Sequence, residues 1–214
     1  MANNPSPAAV IRRKIPKGID DFPTPPWVTR LLIHEGFPLM EKHHRPRPHE
    51  TVSEPAANRG YMVDPLSEWF DEVYASDLID YGRGYGVRDY PQEGSLIPPD
   101  WVITNPPFTL AEDFLWRALD EVSLGVFLFI RSTWAESLGR YKRIFSKRPP
   151  TYEFVMSQRA TLVPERLFDP KKDASGAMAF SWFCWIKDEP ASFTRKMWLP
   201  PKKDEYSQPE DGLI

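Results

Sequence analysis

The tetrapeptide Asn105-Pro106-Pro107-Phe108 contains the residues of this sequence that are best suited to chemistry. It follows the apolar stretch WVIT, and two consecutive prolines cannot continue the hydrogen-bond ladder of a strand, so they fix a rigid turn. The Asn105 side-chain oxygen and the Pro106 carbonyl can each accept one N–H, and Phe108 offers a flat apolar face. This pattern suits a planar ring with an exocyclic amine, since aromatic stacking on a base contributes roughly 1–3 kcal/mol. The alternative is a stiff strand exit with a buried phenylalanine.

Short apolar strands alternate with helices along the chain and predict a mostly parallel α/β sheet. The predicted strands are 51–54, 73–77, 101–104, 125–130, 152–156 and 179–186, and the predicted helices are 24–35, 61–71, 110–121 and 138–147. Glu54, Asp77 and Asn105 each end or follow a strand. Because parallel strands end at one edge, where such sheets bind ligands, we expect these three side chains to lie close together.

The composition predicts one domain with polar ends. A chain of 214 residues, 41% of them hydrophobic, is long enough for a single core, which we assign to residues 21–187. Residues 1–20 are predicted to be a flexible arm, and residues 188–214 a Pro-rich polar tail that is largely disordered. The 24 prolines concentrate in these ends and in the connections. No apolar run approaches the ~18 residues of a membrane span, so no membrane partner is expected.

The motifs resemble those of phage and prophage DNA adenine-N6 methyltransferases, which are class I S-adenosylmethionine-dependent enzymes with a Rossmann-like fold. The D/N-P-P-Y/F/W motif of that group is matched by Asn105 to Phe108, and its cofactor loop, acid-P-x-x-G-x-G, by EPAANRG at 54–60. DDFPTPPW (20–27), ASDLIDYG (75–82), GVRDY (86–90), RSTWAESLGRYKRIF and AFSWFCWIK also resemble the group. The resemblance covers about residues 20–187. It implies a sheet of about seven strands with an antiparallel hairpin strand near the C-terminus.

The resemblance implies a set of S-adenosylmethionine-binding residues. Asp77 would hold the ribose hydroxyls and Leu78 would pack against the adenine. Asp89 would meet the adenine amine, with Tyr90 beside it. The full implied set is Phe22, Thr24, Glu54, Pro55, Ala56, Asn58, Gly60, Asp77, Leu78, Asp89 and Tyr90. Phe22 and Thr24 match a segment that closes over the methionine end, although Thr24 is as readily explained as a helix N-cap.

The cofactor loop departs from the family pattern at Asn58, where a glycine is usual. Glycine at this place allows a positive φ and a close approach to the ligand. Asparagine is the residue that best tolerates the left-handed conformation after glycine, so we expect the loop still to form. The alternatives are an ordinary turn or a degenerate, inactive site.

The resemblance implies methyl transfer from S-adenosylmethionine to the N6 amine of adenine in double-stranded DNA. The target base lies inside a duplex, so it must be flipped out at a cost of a few kcal/mol. The same motif serves other planar amines, namely cytosine N4, guanine N2 in ribosomal RNA and protein glutamine. A non-catalytic nucleic-acid-binding module with this fold is a further alternative.

A basic segment is the candidate DNA contact. Residues 131–172 contain ten basic and four acidic side chains, a net charge of +6 in a chain whose net charge is −3. We expect Arg131, Arg140, Lys142 and Arg143 to face the DNA backbone. The alternative is a solvated helix face.

Other chemistries are disfavoured. Cys184 lies among aromatic residues, which predicts a core position, and no Pro-Cys dipeptide is present for carbon-5 cytosine methylation. His43, His44 and His49 have no cysteine or carboxylate at a recognised ligand spacing, so no metal site is predicted. One cysteine and no signal-peptide core indicate an intracellular protein, and the resemblance implies the cytoplasm of a bacterium or of a phage-infected cell.

Overall fold

The computed structural model describes residues 22–160, 162 and 178–212, and the strands in these ranges form one eight-stranded sheet. The strands are β1 (Thr51–Glu54), β2 (Glu72–Asp77), β3 (Gly86–Val87), β4 (Trp101–Thr104), β5 (Gly125–Arg131), β6 (Tyr152–Met156), β7 (Phe180–Ile186) and β8 (Arg195–Leu199). Their order across the sheet is β3-β2-β1-β4-β5-β7-β6-β8. β7 is antiparallel to its neighbours β5 and β6, and all other neighbouring pairs are parallel.

The helices are short, apart from the one that follows β4. They are α1 (Pro26–Leu31), α2 (Val63–Ser67), α3 (Tyr90–Glu93), α4 (Ala111–Glu121), α5 (Leu138–Arg140) and α6 (Lys203–Tyr206). π-helical turns extend α1 through Leu32–Gly36 and α5 through Tyr141–Phe145, and 3₁₀ turns lie at Phe37–Leu39, Lys42–His44, Ser132–Ala135 and Pro209–Gly212. None of the helices in the described ranges is long and apolar enough to cross a membrane.

Strand β5 shows why the sheet is covered on both faces. Phe127 and Phe129 belong to one core, which also holds α1 and α2, whereas Val126, Leu128 and Ile130 belong to a second core under α4. Successive side chains of a strand point to opposite faces, so a strand buried on both faces has to be apolar throughout. The continuous apolar run of β5 is explained by this double burial.

The structure confirms the predicted α/β class, the mostly parallel sheet and the antiparallel strand near the C-terminus. The predicted strands match the observed ones to within one residue. The sheet has eight strands, whereas the resemblance implied about seven, and the six strands predicted from the residues do not include β3 and β8. The first helix begins at Pro26, and the Thr24 side chain makes no capping hydrogen bond, so the N-cap interpretation of Thr24 is wrong.

The prediction of a disordered tail at 188–214 is wrong for its described part. β8 pairs with the outer edge of β6, and Leu199 is fully buried in the core. Farther along, Asp211 lies 2.8 Å from the buried guanidinium of Arg30, which also contacts Glu68 at 2.7 Å. A buried charge requires a partner, so Asp211 fixes the polar tail against α1. The domain therefore extends to residue 212, while the predicted arm at 1–20 lies outside the described residues.

Candidate active site

A pocket of about 1090 Å³, open mouth included, lies at the carboxyl ends of β1, β2 and β4. Its walls include thirteen of the predicted residues: Phe22, Thr24, Pro55, Ala56, Asn58, Asp77, Leu78, Asp89, Tyr90, Asn105, Pro106, Pro107 and Phe108. Sequence reasoning did not name Pro23, Ala57, Tyr61, Met62, Ile79, Tyr81, Arg88, Pro91, Thr109, Leu110 and Phe114, which also line it. Most of these residues are direct sequence neighbours of a predicted residue, so adjacency to the motifs would have identified them.

The loop after β1 has the backbone conformation that its sequence predicts. Asn58 has φ 50°, and it is the one non-glycine residue in the described ranges with a positive φ. Gly60 has φ 96°, and a Cβ at this position would collide with the Tyr85 hydroxyl. Asparagine thus takes the left-handed conformation in place of the missing glycine, while the positive φ of Gly60 favours glycine at that position. Gly60 itself is not among the residues that line the pocket.

Asp77 joins this loop to the end of β2. Its Oδ2 accepts a hydrogen bond from the Asn58 N–H at 2.9 Å, and its Oδ1 accepts one from the Ile79 N–H at 3.0 Å. The two backbone bonds hold the carboxylate in one orientation on the pocket wall. Because each carboxylate oxygen accepts more than one hydrogen bond, this orientation is compatible with a pair of ligand hydroxyls.

Glu54 supports the loop from behind instead of lining the pocket. Its Oε1 accepts hydrogen bonds from the Thr104 hydroxyl at 2.6 Å and from the Ala56 N–H at 2.9 Å. Its Oε2 is buried without a hydrogen-bond partner in the described chain. Complete burial raises the pKa of Glu54 to about 8, because the charged carboxylate loses its hydration. A direct contact of Glu54 with a ligand in this pocket is therefore not supported by its position.

The orientation of the Asn105 amide leaves its side-chain oxygen without a hydrogen-bond donor from the described residues. Its Nδ2 donates to the Phe22 carbonyl at 3.0 Å, which fixes the amide orientation. Its Oδ1 is buried and has no hydrogen-bond partner among the described residues. Two residues on, the Pro107 carbonyl accepts from the Leu110 N–H at 2.9 Å and so stabilises the turn. The result is a fixed acceptor at the pocket wall.

Phe108 lies in an aromatic and cationic cluster at the same wall. Its ring centroid is 5.4 Å from that of Phe22 and 6.0 Å from that of Phe180. The Arg131 guanidinium, at the end of β5, lies 4.5 Å from the centroid of the Phe108 ring. The Arg131 Nε is buried without a hydrogen-bond partner in the described ranges. Arg131 is thus beside the predicted target-binding ring, and sequence reasoning had assigned it only to the DNA backbone.

The predicted adenine-contacting residues differ in their environments. Leu78 is 54% exposed and Asp89 is also exposed, and both side chains face the pocket mouth. Tyr90 is 1% exposed, and its hydroxyl donates to Glu121 Oε1 at 2.7 Å, away from the pocket. Burial and the neighbouring Glu121 carboxylate raise the pKa of Tyr90, so it stays neutral. Only the ring of Tyr90 therefore remains for contact with a ligand.

The predicted basic surface is not one uniform patch. Arg143 forms two hydrogen bonds with the Glu112 carboxylate, at 2.6 and 2.7 Å, and this pairing neutralises it. The Arg140 guanidinium lies 5.0 Å from the centroid of the Trp134 ring. Lys142 is exposed and makes no ion pair within the described residues. Arg140 and Lys142 are thus the better-placed cations of this segment, and Arg143 is mainly a partner of α4.

The comparisons with known proteins establish the fold. No protein-family model matches the chain, and no curated protein matches its sequence. A class I S-adenosylmethionine-dependent methyltransferase structure from Listeria monocytogenes superposes with a TM-score of 0.56 at 12% identity, covering 83% of this chain and 65% of that chain. The methyltransferase subunit of a type I restriction-modification system from Streptococcus thermophilus gives 0.59 at 10% identity, covering 90% and 50%.

A third similar structure, from Pyrococcus horikoshii and described as an RNA methyltransferase, gives a TM-score of 0.52 at 15% identity, covering 75% of this chain and 83% of that chain. This chain spans between half and two thirds of the length of the first two proteins. The predicted Rossmann-like, class I methyltransferase fold is thereby confirmed. Such distant similarity shows the fold and leaves substrate and partners to be inferred from the site.

Proposed function

We propose that this protein transfers a methyl group from S-adenosylmethionine to the N6 amine of adenine in DNA. One observation carries the proposal: the Asn105 Oδ1 is a buried acceptor without a partner in the described chain, fixed through Phe22 and adjacent to Phe108. A buried polar atom without a hydrogen bond costs about 1–3 kcal/mol. A bound amine that donates to Asn105 recovers this free energy, whereas a ligand without a donor does not.

The residues of the loop side fit S-adenosylmethionine. Asp77 presents a carboxylate of fixed orientation, as a ribose diol requires, and Leu78 offers exposed apolar surface at the mouth for an adenine ring. The Thr24 Oγ1 is a buried hydroxyl with no hydrogen-bond partner in the described ranges, and we assign it with Phe22 to the methionine end. When bound, S-adenosylmethionine supplies an electrophilic methyl group on its sulfonium sulfur.

The chain's own residues then act on the target amine. The Asn105 Oδ1 and the Pro106 carbonyl each accept one N–H, and both acceptors together draw the nitrogen lone pair out of conjugation with the ring. No backbone hydrogen bond uses the Pro106 carbonyl within the described residues. Phe108 stacks on the ring, and Arg131 lies against Phe108, with its guanidinium 4.5 Å from the centroid of the Phe108 ring. Alignment of the two reactants supplies much of the rate in such direct transfers.

Double-stranded DNA is the proposed partner. The segment of Arg140 and Lys142 follows β5, which ends at the same sheet edge as the pocket. We assign to these cations the contacts with the phosphates that flank a flipped base. The similar subunit from Streptococcus thermophilus belongs to a restriction-modification system, which is consistent with this partner. A reaction on DNA would take place in the cytoplasm of a bacterial cell.

Mass spectrometry of nucleosides tests the proposal. The protein is incubated with methyl-labelled S-adenosylmethionine and, in separate reactions, unmethylated duplex DNA, RNA and a protein extract, with Asn105→Ala as the matched control. We expect labelled N6-methyladenine from DNA with the wild-type protein and hardly any with the control. Label on cytosine, RNA or glutamine would refute the substrate, and binding of S-adenosylmethionine without any transfer would refute the enzyme.

A further inference from the structure

A second group of ligand-type side chains lies at the opposite edge of the sheet from the pocket. Glu41, His43 and His44 belong to the turn before β1, and Glu189 follows the end of β7. They meet beside Tyr152, the first residue of β6. Because β6 is parallel to β5, its first residue marks the edge where the parallel strands begin. The pocket lies where those strands end, so the two groups are on different sides of the domain.

Glu41, His43 and His44 have ligand atoms close enough together for a metal site, and the Glu189 carboxylate lies beside both histidines. The His43 Nε2 lies 3.7 Å from Glu41 Oε2 and 3.6 Å from Glu189 Oε1, and the His44 Nε2 lies 3.0 Å from Glu189 Oε2. One ligand atom each from Glu41, His43 and His44 falls within 4.8 Å of the others. A tetrahedral ion with bonds of about 2.0–2.2 Å places neighbouring ligand atoms about 3.3–3.6 Å apart.

Further contacts orient the ligand atoms. The His44 Nδ1 lies 2.7 Å from the Tyr152 hydroxyl, so the ring turns its Nε2 toward Glu189. Arg195 binds the Glu41 Oε1 at 2.6 Å, so the other oxygen is the one that faces His43. Partners of this kind fix the orientation of metal ligands in general. His44 is buried, whereas the side chains of Glu41, His43 and Glu189 are roughly half exposed, which provides an entry path.

We propose that Glu41, His43, His44 and Glu189 bind one divalent transition-metal ion of the zinc class. Two imidazoles and two carboxylates form a ligand set that such ions accept, and the two carboxylates balance the charge of the ion. Four protein ligands close the coordination shell, so the ion acts as a structural link. It links the turn before β1 to the connection between β7 and β8, although His44 and Glu189 are 145 residues apart in the sequence.

The metal site is independent of the proposed methyl transfer. Sequence spacing did not predict it because a carboxylate from a distant connection completes the set, while the histidines alone have no ligand pattern. His49, named with the other two histidines in the sequence, is exposed and belongs to no metal-type group in the described residues. It therefore provides a matched control.

Cobalt(II) and zinc titrations of the full-length protein without a polyhistidine tag test the site. We expect one equivalent of Co²⁺ to produce the intense visible band of a four-coordinate ion, and one equivalent of Zn²⁺ to abolish it. His43→Ala and Glu189→Gln, two exposed positions, are expected to weaken Co²⁺ binding by about 10- to 100-fold, a loss known even for residues that only support a ligand. His49→Ala should bind as the wild type does.

Thermal unfolding without metal shows whether each variant is folded. At the same concentration, Zn²⁺ should raise the unfolding midpoint of the wild type and of His49→Ala more than that of His43→Ala. Absence of the visible band at one equivalent overturns the proposal. So does equal Co²⁺ affinity of His43→Ala, Glu189→Gln and His49→Ala, since the cluster is then a set of histidine–glutamate ion pairs only.

Discussion

The pocket has two halves that differ in whether their polar groups have hydrogen-bond partners. The loop half consists of residues 55–58 and 77–79, supported by Glu54, and the target half consists of Asn105 to Phe108 with Phe22, next to which Arg131 lies. In the loop half, both oxygens of Asp77 accept backbone hydrogen bonds and the turn is tied to β2. In the target half, the Asn105 Oδ1 and the Arg131 Nε are buried without partners in the described chain.

The loop half is therefore preformed, whereas the target half needs a bound substrate to complete its hydrogen bonds. A half whose polar groups are satisfied keeps its shape without a ligand. A half with an unpartnered acceptor is destabilised until a donor arrives, and an analogue that lacks the donor leaves it destabilised. The loop half therefore provides a rigid support, and the target half provides the selectivity for an amine.

Glu54 is the exception in the loop half, and it gives the largest expected effect. Its carboxyl keeps a proton in the folded protein up to about pH 8, whereas its usual pKa is 4.5. Between these values the folded state holds the additional proton, so raising the pH favours unfolding. We expect this group to lower the free energy of unfolding as the pH rises from about 4.5 to about 8, by a total on the order of 5 kcal/mol, with no further loss above.

Urea denaturation of the wild type and of Glu54→Gln from pH 5 to pH 9 measures this contribution. The glutamine variant retains the shape of the side chain and cannot ionise, so its stability should depend less on pH, and the difference between the two proteins should grow toward pH 8. Parallel pH profiles of the two proteins would mean that Glu54 ionises normally in the folded state.

Asn105→Ala tests the target half. The substitution removes one acceptor for the amine and leaves Asp77 and the loop unchanged. Loss of a hydrogen bond that acts in the transition state, roughly 2.7–4 kcal/mol, should reduce single-turnover methyl transfer by about 10²–10³-fold. The affinity for S-adenosylmethionine, measured by calorimetry, should change little. Asn105→Asp retains an acceptor and should be the faster of the two variants, and equal rates for Asn105→Ala and the wild type would remove the basis of the proposed chemistry.

Asp77→Ala tests the loop half. Hydrogen bonds to a charged group contribute about 1.5–3 kcal/mol, so the affinity for S-adenosylmethionine should fall by about tenfold to a hundredfold. Asp80→Ala is the matched control, because Asp80 is an exposed neighbour whose Oδ1 accepts only from the Gly82 N–H among the described residues. An equal loss in both variants would show that the negative charge of the region, and not the Asp77 position, matters for binding.

The sequence predicted the parts of the site that depend on local chemistry. Glu54, Asp77 and Asn105 were placed at one edge because each ends or directly follows a predicted strand of four or five residues. Asn58 was expected to replace glycine in a left-handed turn, and its φ of 50° agrees. In each case, neighbours in the sequence determine the backbone, and the backbone determines where the side chain lies.

The parts that depend on contacts between distant segments were missed. The position of Arg131 over Phe108 requires that β5 lie next to β4 in the sheet. The order of the tail depends on Asp211 meeting a buried arginine 181 residues away. A polar, Pro-rich composition predicts disorder because it contains few apolar side chains. One buried ion pair and one edge strand were sufficient to contradict that prediction here.

The smallest expected effects distinguish the cations of the 131–145 segment. Replacing Arg140 and Lys142 by Ala should weaken duplex DNA binding and reduce the dependence of log affinity on log salt by about 0.9 for each phosphate that the protein no longer neutralises.

Arg143→Ala should change this slope less, because Arg143 is already paired with Glu112 at 2.6 Å. An exposed ion pair contributes roughly 0.2–1 kcal/mol, so the main effect of Arg143→Ala should be a small loss of stability. Fluorescence anisotropy at two salt concentrations measures both slopes. Equal slopes for the double variant, Arg143→Ala and the wild type would mean that Arg140 and Lys142 belong to a solvated surface and do not contact the DNA backbone.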